Sequence, residues 1–303
     1  MYIYSVEEGK YIEDPRHPLT VSKCKKKDVK PYLSVVIPTF LRKKELFRAI
    51  RTVVGQRKVR PIEIVVVDDS PGIFTIAELS TLVEDGIIIK YIPNKKRVGA
   101  PISRNIGIYN STAKYIAFLD DDDEWDPEKS IEQLTMFETI NEMSLCICYS
   151  VDYRFSQIRV SKPPAVVTHK MVIKSFNLSS TSSYMTTRSY LDLVRTDDGH
   201  YFDPSLKSGQ EYDLAIRLSL HDPIMTIPKP LMIQYAPKGG QISLNWKNKI
   251  SGIISLYSKY HNEYTILEYI KTVGLIGMFS LGYVLGDRIY KILTPLKEVY
   301  ERV

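Results

Sequence analysis

One stretch constrains this chain more than any other: Tyr115-Ile116-Ala117-Phe118-Leu119, followed at once by Asp120-Asp121-Asp122-Asp123. The short apolar run reads as a strand buried on both faces. It ends in a row of carboxylates whose mutual repulsion costs stability unless positive charge lies close by. The carboxyl ends of such strands are where α/β sheets bind ligands, so a divalent cation is the neutraliser this pattern favours. Oxygen-only ligands suit Mn²⁺ or Mg²⁺, which keep waters and share their site with phosphate groups. An EF-hand loop is excluded, because Trp125 stands where that loop needs glycine. A solvated acidic turn is the alternative. Asp126-Pro127-Glu128 reads as a helix N-cap with proline at the first helical position, a structural role for Asp126.

Upstream, the chain alternates strand and helix. Leu33 to Ile37 is a strand stopped by Pro38-Thr39, and a helix follows through Leu46, Ile50, Val53 and Val54. The β-branched run Ile62 to Val67 is a second strand, ending in Asp68-Asp69-Ser70-Pro71-Gly72. A helix around Ile76 to Val83 leads to a strand over Ile87 to Ile92. A loop bearing Arg97 and Gly99 then opens a helix over about 101–111, which carries Arg104 and Asn105. Such alternation implies right-handed crossovers, a mostly parallel sheet and flanking helices. Thr39, Asp68, Asp69, the Arg97 loop and Asp120 to Asp123 would then converge on one sheet edge, in the manner of a nucleotide site.

The composition, 44% hydrophobic and 25% charged over 303 residues, is that of an ordinary globular protein with room for one large α/β domain and an appendage. A net charge of +6 fits an anionic small molecule or membrane surface, and no nucleic-acid-binding motif accompanies it. Three cysteines argue against a disulfide framework and fit a reducing compartment, so the expected location is cytoplasmic, with peripheral contact at the inner face of a membrane.

Ile37-Pro38-Thr39-Phe40, Val67-Asp68-Asp69-Ser70, Asn94 through Gly99 to Gly107, and Phe118 through Asp123 together resemble the successive motifs of family 2 glycosyltransferases with the GT-A, Rossmann-like fold. The resemblance runs from about Leu33 to about Tyr235. It implies transfer of a sugar, with inversion, from a nucleotide-diphospho-sugar to a hydroxyl of a saccharide or lipid-linked acceptor, in polysaccharide, glycolipid or glycoprotein glycan synthesis. Thr39 and Asp69 would contact the nucleoside, Asp69 accepting from a uracil N–H, which makes a UDP-sugar the expected donor. Arg97 would lie near the base or diphosphate, and Pro38, Asp68, Arg104, Asp120 and Asp121 would complete the donor pocket. Asp120 and Asp122 would be the outer carboxylates of a D-x-D motif, with Asp122 the direct ligand of Mn²⁺ or Mg²⁺.

The second half reads as the acceptor side. Leu145 to Tyr153 is a strand with Cys146 and Cys148 as core, and Ser179 to Ser183 is a hydroxyl-rich turn that resembles the family's segment facing the donor sugar. A helix begins near Glu211. There the family carries a Glu-Asp pair whose Asp is the general base; aligned on Tyr212-Asp213-Leu214, this chain has Gln210-Glu211 instead. Glu211 is the expected base and Asp213 the competing one. The domains are read as an N-terminal extension (1–30), a nucleotide-binding half (31–125), an acceptor half (126–245) and a C-terminal helical region (246–303).

In that last region the apolar stretch Thr272 to Gly286 is shorter than the roughly 20 residues a spanning helix needs. It precedes a basic amphipathic segment. Docking in a membrane interface and packing on the domain or in a homodimer are both open. Two rival functions stay in view: a sugar-nucleotide-binding or scaffolding subunit without catalysis, supported by the Gln210-Glu211 departure, and a nucleotidyltransferase using the same sheet and carboxylates.

Overall fold

The computed structural model describes residues 1–15, 17–24, 30–153, 158–174, 178–235 and 246–264, together with Gly274. The expectations for 25–29, for Phe176 and Asn177, and for the apolar and amphipathic segments beyond Tyr264 fall outside these described residues.

The strands are β1 (Tyr2–Ser5), β2 (Lys10–Glu13), β3 (Leu19–Ser22), β4 (Leu33–Thr39), β5 (Ile62–Asp68), β6 (Ile87–Pro93), β7 (Tyr115–Phe118), β8 (Glu124–Trp125), β9 (Leu145–Asp152), β10 (Arg159–Ser161), β11 (Val166–Val167), β12 (Met185–Thr187) and β13 (Ile224–Gln234). The helices are α1 (Lys43–Val54), α2 (Ile76–Ser80), α3 (Ala100–Asn110), α4 (Lys129–Thr139), α5 (His169–Lys174), α6 (Arg188–Leu193), α7 (Gln210–Ser219) and α8 (Trp246–Tyr260). Apart from the β1–β2 hairpin, the strands join one mixed sheet in the order β11-β13-β9-β12-β7-β4-β5-β6-β3, with β10 on β9 and β8 on β13.

The strands β7-β4-β5-β6 form a parallel block. Every residue of β4 and β5 is buried, as expected of strands covered on both faces. The pleat sends alternate side chains to opposite layers. Val35 and Ile37 join the core under α1, α2 and α4, whereas Val36 joins the core under α6 and α7. Leu46, Ala49, Ile50 and Val53 recur at helical spacing along α1 and make its buried face. Beyond β7 the sheet turns antiparallel at β12, and parallel pairing resumes between β9 and β13.

The N-terminal extension holds regular structure: β3 pairs antiparallel with β6 at the sheet edge, and the β1–β2 hairpin is tied to α3 by the Asn110 amide, which bonds both the N–H and the C=O of Tyr2. These strands are short and only part-buried, so they carry too little alternation to be read. Asp126 is not the N-cap of α4, which begins later, after Glu128. Instead its carboxylate accepts from the Glu128 N–H at 2.9 Å, an Asx-turn leading into the helix.

Helix α3 lies close to the sheet because Gly107 has no side chain. A Cβ there would meet Cγ1 of the fully buried Val36 at 2.3 Å. Val36 is β-branched and held in a strand, so it cannot swing aside cheaply. Gly107→Ala is expected to lower the unfolding free energy by about 1–3 kcal/mol through overpacking, measured by urea denaturation, although alanine is the better helix former.

Candidate active site

The carboxyl ends of the parallel block meet at one edge, as the register requires: Thr39 stands opposite Asp68, and Asp68 opposite Pro93. Pro38 is buried inside β4 and helps form the floor of this edge. Asp69 lies just beyond β5 and organises the neighbouring loop. Its Oδ1 accepts from Asn94 Nδ2 and Val98 N, each at 2.9 Å, and its Oδ2 from Gly99 N at 2.7 Å. Gly99, at φ +89, then starts α3. Exposed on the same loop, Arg97 lays its guanidinium 4.1 Å from the centre of the Phe40 ring. Asp68, by contrast, is fully enclosed. Its oxygens are spent on the Ser70 N–H and hydroxyl and on the Tyr91 hydroxyl, so the structure gives it a turn-forming place rather than a ligand-facing one.

The four aspartates divide by burial. Asp121 and Asp123 point inward and are 5% and 3% exposed, while Asp120 and Asp122 are half-buried at the edge. Asp121 accepts from Thr39 Oγ1 at 2.7 Å and from Arg42 Nη1 at 3.1 Å. Burial nevertheless pushes its carboxyl up to about 7, helped by repulsion from Asp122 and Asp120 and opposed by Thr39 and Arg42. Asp123 is held by Ser182, whose Oγ donates to it at 2.6 Å and accepts from Asp120 N at 3.0 Å. Trp125 Nε1 donates to Ser182 O at 2.7 Å. Ser182 therefore brackets the acidic turn from behind and is fully buried, a role the sequence does not signal.

At the edge itself, Asp122 pairs with Arg42 at 2.8 Å and Asp120 with Arg104 at 2.5 Å. The oxygens at the edge are thus those of Asp122 and Asp120, hard donors already paired with guanidinium groups. Among the described residues no group of three or more His, Cys, Asp or Glu side chains is placed to hold an ion by itself. That donor set fits Mg²⁺ or Mn²⁺ shared between one or two carboxylates and a diphosphate.

Arg104 connects this edge to Phe202 and the start of α7. It is buried, with its guanidinium 5.4 Å from the Phe202 ring centre. Helix α7 begins after Gly209 (φ +78), where a Cβ would press on Leu256 of α8. Gln210 turns its amide back onto the Leu206 carbonyl at 2.6 Å. Glu211 faces the site, and burial raises its carboxyl above the usual range; Asp120 adds to this, while its own backbone N–H and Arg104 pull it down. Asp213 faces away and is fully buried. Its Oδ2 takes Arg217 Nε and Nη2 at 3.0 and 2.8 Å, and its Oδ1 takes the Tyr260 hydroxyl and Lys259 Nζ, both at 2.7 Å.

The sequence model of Glycosyl transferase family 2 matches residues 34–199, more than half of the chain. The chain belongs to glycosyltransferase family 2. WcaA of Escherichia coli K12, a provisionally assigned colanic acid biosynthesis glycosyl transferase, is 25% identical over 238 residues, covering 77% of this chain and 83% of its own. An uncharacterized glycosyltransferase of Rickettsia conorii is 38% identical over 109 residues, but this match covers 36% of the present chain and only 18% of that longer protein. Among solved structures, Staphylococcus aureus TarS 1-349 in complex with UDP-GlcNAc superposes with TM-score 0.59 at 14% identity, over 83% of this chain and 73% of TarS 1-349. The mannosyltransferase PcManGT of Pyrobaculum calidifontis, in complex with GDP-Man and Mn²⁺, gives TM-score 0.58 at 12% identity, over 91% and 82%. These likenesses identify the fold of the glycosyltransferase as GT-A type. The family match ends before α7, so the roles of Glu211 and Asp213 rest on this chain's own geometry.

That geometry makes Asp213 the tie between α7 and α8. Asp213→Asn removes the charge facing Arg217 and Lys259 and is expected to cost about 3 kcal/mol of stability, the scale of breaking a buried pair. Urea unfolding checks this; an unchanged midpoint would contradict the tie.

Proposed function

We propose that the glycosyltransferase moves a sugar from a UDP-sugar to an acceptor hydroxyl with inversion, and that Glu211 is the general base. The observation that carries this reading is the contrast along the start of α7. Asp213 is saturated with cationic and hydroxyl donors, whereas the Glu211 carboxylate keeps only its own backbone N–H among the described residues and borders Arg104 and Asp120. A base needs a free oxygen and a pKa lifted toward the working pH.

Four features support the donor assignment. The Arg97–Phe40 pair offers a flat, cationic surface suited to a nucleobase. Asp69 Oδ2 has one bond, to Gly99 N, and a lone pair remaining for a uracil N–H. Thr39 stands beside it, and the structural neighbour TarS was solved with UDP-GlcNAc. GDP is the competing nucleotide, since PcManGT was solved with GDP-Man. A divalent cation held by Asp122, with Asp120, would stabilise the charge gathering on the departing diphosphate. Arg104 and Arg42 are positioned to add positive charge at the same edge, and Glu211 takes the proton of the attacking hydroxyl from the opposite side. Saccharide and lipid-linked acceptors both fit this chemistry.

Glu211→Gln keeps the size and removes the proton acceptor. UDP release from a UDP-sugar panel should fall by roughly 10²–10⁴-fold, with UDP affinity little changed by calorimetry. In the parent enzyme the acid limb of the pH–rate profile should lie above the usual glutamate pKa, because the base works only when deprotonated and its pKa is raised. Full turnover in the variant would remove Glu211 from the mechanism, and tighter binding of GDP than of UDP would overturn the donor assignment.

Among the described residues no helix is long and apolar enough to cross a membrane. Peripheral contact through 272–303 is proposed from composition alone. The full chain should then co-sediment with anionic vesicles and be released by salt; equal recovery with neutral vesicles would argue for an uncharged mode of attachment.

A further inference from the structure

The segment joining β4 to α1 has an unusual backbone. Leu41 is a leucine at φ +57, more than half exposed, with its N–H bonded to Ser70 Oγ at 2.7 Å. A left-handed conformation is uncommon for such a residue. It is followed by Arg42, whose Nη1 reaches both Asp121 Oδ1 at 3.1 Å and Asp122 Oδ2 at 2.8 Å. One carboxylate oxygen of Asp122 is therefore already taken by a guanidinium.

We infer that Arg42 is a resident counter-cation: it pairs with Asp121 and Asp122 and gives up Asp122 when metal and donor diphosphate arrive together. This positioning role rests on the donor-site reading above. A guanidinium about 3 Å from Asp122 repels a divalent ion at the same oxygen, so metal alone has to compete with it. A diphosphate changes the balance, because it brings negative charge that attracts both groups. Its oxygens accept a guanidinium as readily as a carboxylate does. Releasing Asp122 then leaves Arg42 paired to Asp121, or moved onto a phosphate oxygen, with no charge left uncompensated. Since linkage is reciprocal, metal and nucleotide must each tighten the other.

Mn²⁺ binding, followed by the electron paramagnetic resonance of the free ion with and without UDP, tests this in the full chain and in Arg42→Gln and Arg42→Lys. The parent should bind Mn²⁺ weakly alone and at least about tenfold more tightly with UDP, within the usual range of coupling. Arg42→Gln should bind Mn²⁺ alone at least about tenfold more tightly than the parent and lose most of the UDP dependence, with Arg42→Lys between them. In chelator, Arg42→Gln should also melt lower than the parent, and Mn²⁺ should restore its Tm. A merely structural arginine would not show that rescue. Mn²⁺ affinity in Arg42→Gln equal to or weaker than the parent's, or a lowered Tm that Mn²⁺ does not restore, would overturn the exchange. Absence of Mn²⁺ binding to all three proteins would overturn it too, while UDP release that depends on Glu211 would leave glycosyl transfer standing.

Discussion

The compensation of four adjacent carboxylates is the constraint on which the rest of this site depends. Left in water, the run Asp120–Asp123 would repel itself and favour an open chain. The fold resolves this by sending alternate members to different environments. Asp121 and Asp123 go inward, to Thr39 and to Ser182, and Asp120 and Asp122 stay at the edge against Arg104 and Arg42. Each partner comes from a different element: β4, the turn before β12, α3 and the start of α1. The acidic turn therefore holds together elements far apart in sequence. The edge pairs lie nearer solvent than the inward bonds, so breaking an inward bond carries the larger desolvation cost.

The alternation of strand and helix from Leu33 to Phe118 was legible because those strands are buried on both faces and are nearly continuous in β-branched residues. The convergence of Thr39, Asp69 and the aspartate run followed from it. Less legible was everything set by one-sided or short contacts. Strands β1 to β3 are short and largely exposed. The place of Ser182 depends on a turn from the second half of the chain meeting the end of β7, which no local pattern encodes. Asp68 and Asp69 look equivalent in sequence, yet alternation along a strand end turns one into the core and the other to the edge. Side-chain direction, rather than residue type, separates the acid that closes its own turn from the one that binds the neighbouring loop.

The same logic decides between Glu211 and Asp213. Successive helical residues are rotated by about 100°, so positions two apart lie on opposite sides and cannot share a ligand. Once Leu214 and Leu218 of α7 are buried in the core, the remaining acids must diverge. Asp213 meets Arg217 one turn on and the end of α8, and a carboxylate with four donors has no capacity left to take a proton from an acceptor. Glu211 is left on the side of Arg104 and Asp120, where burial raises its carboxyl above the usual range and its own backbone N–H and Arg104 oppose that rise. Replacing aspartate by the longer glutamate at such a position adds one methylene of reach while keeping the same acid chemistry. Gln210, on the other side of Glu211, turns its amide back onto the Leu206 carbonyl. On the proposed reading, the Gln210-Glu211 departure keeps a carboxylate at the position of the base with a longer reach.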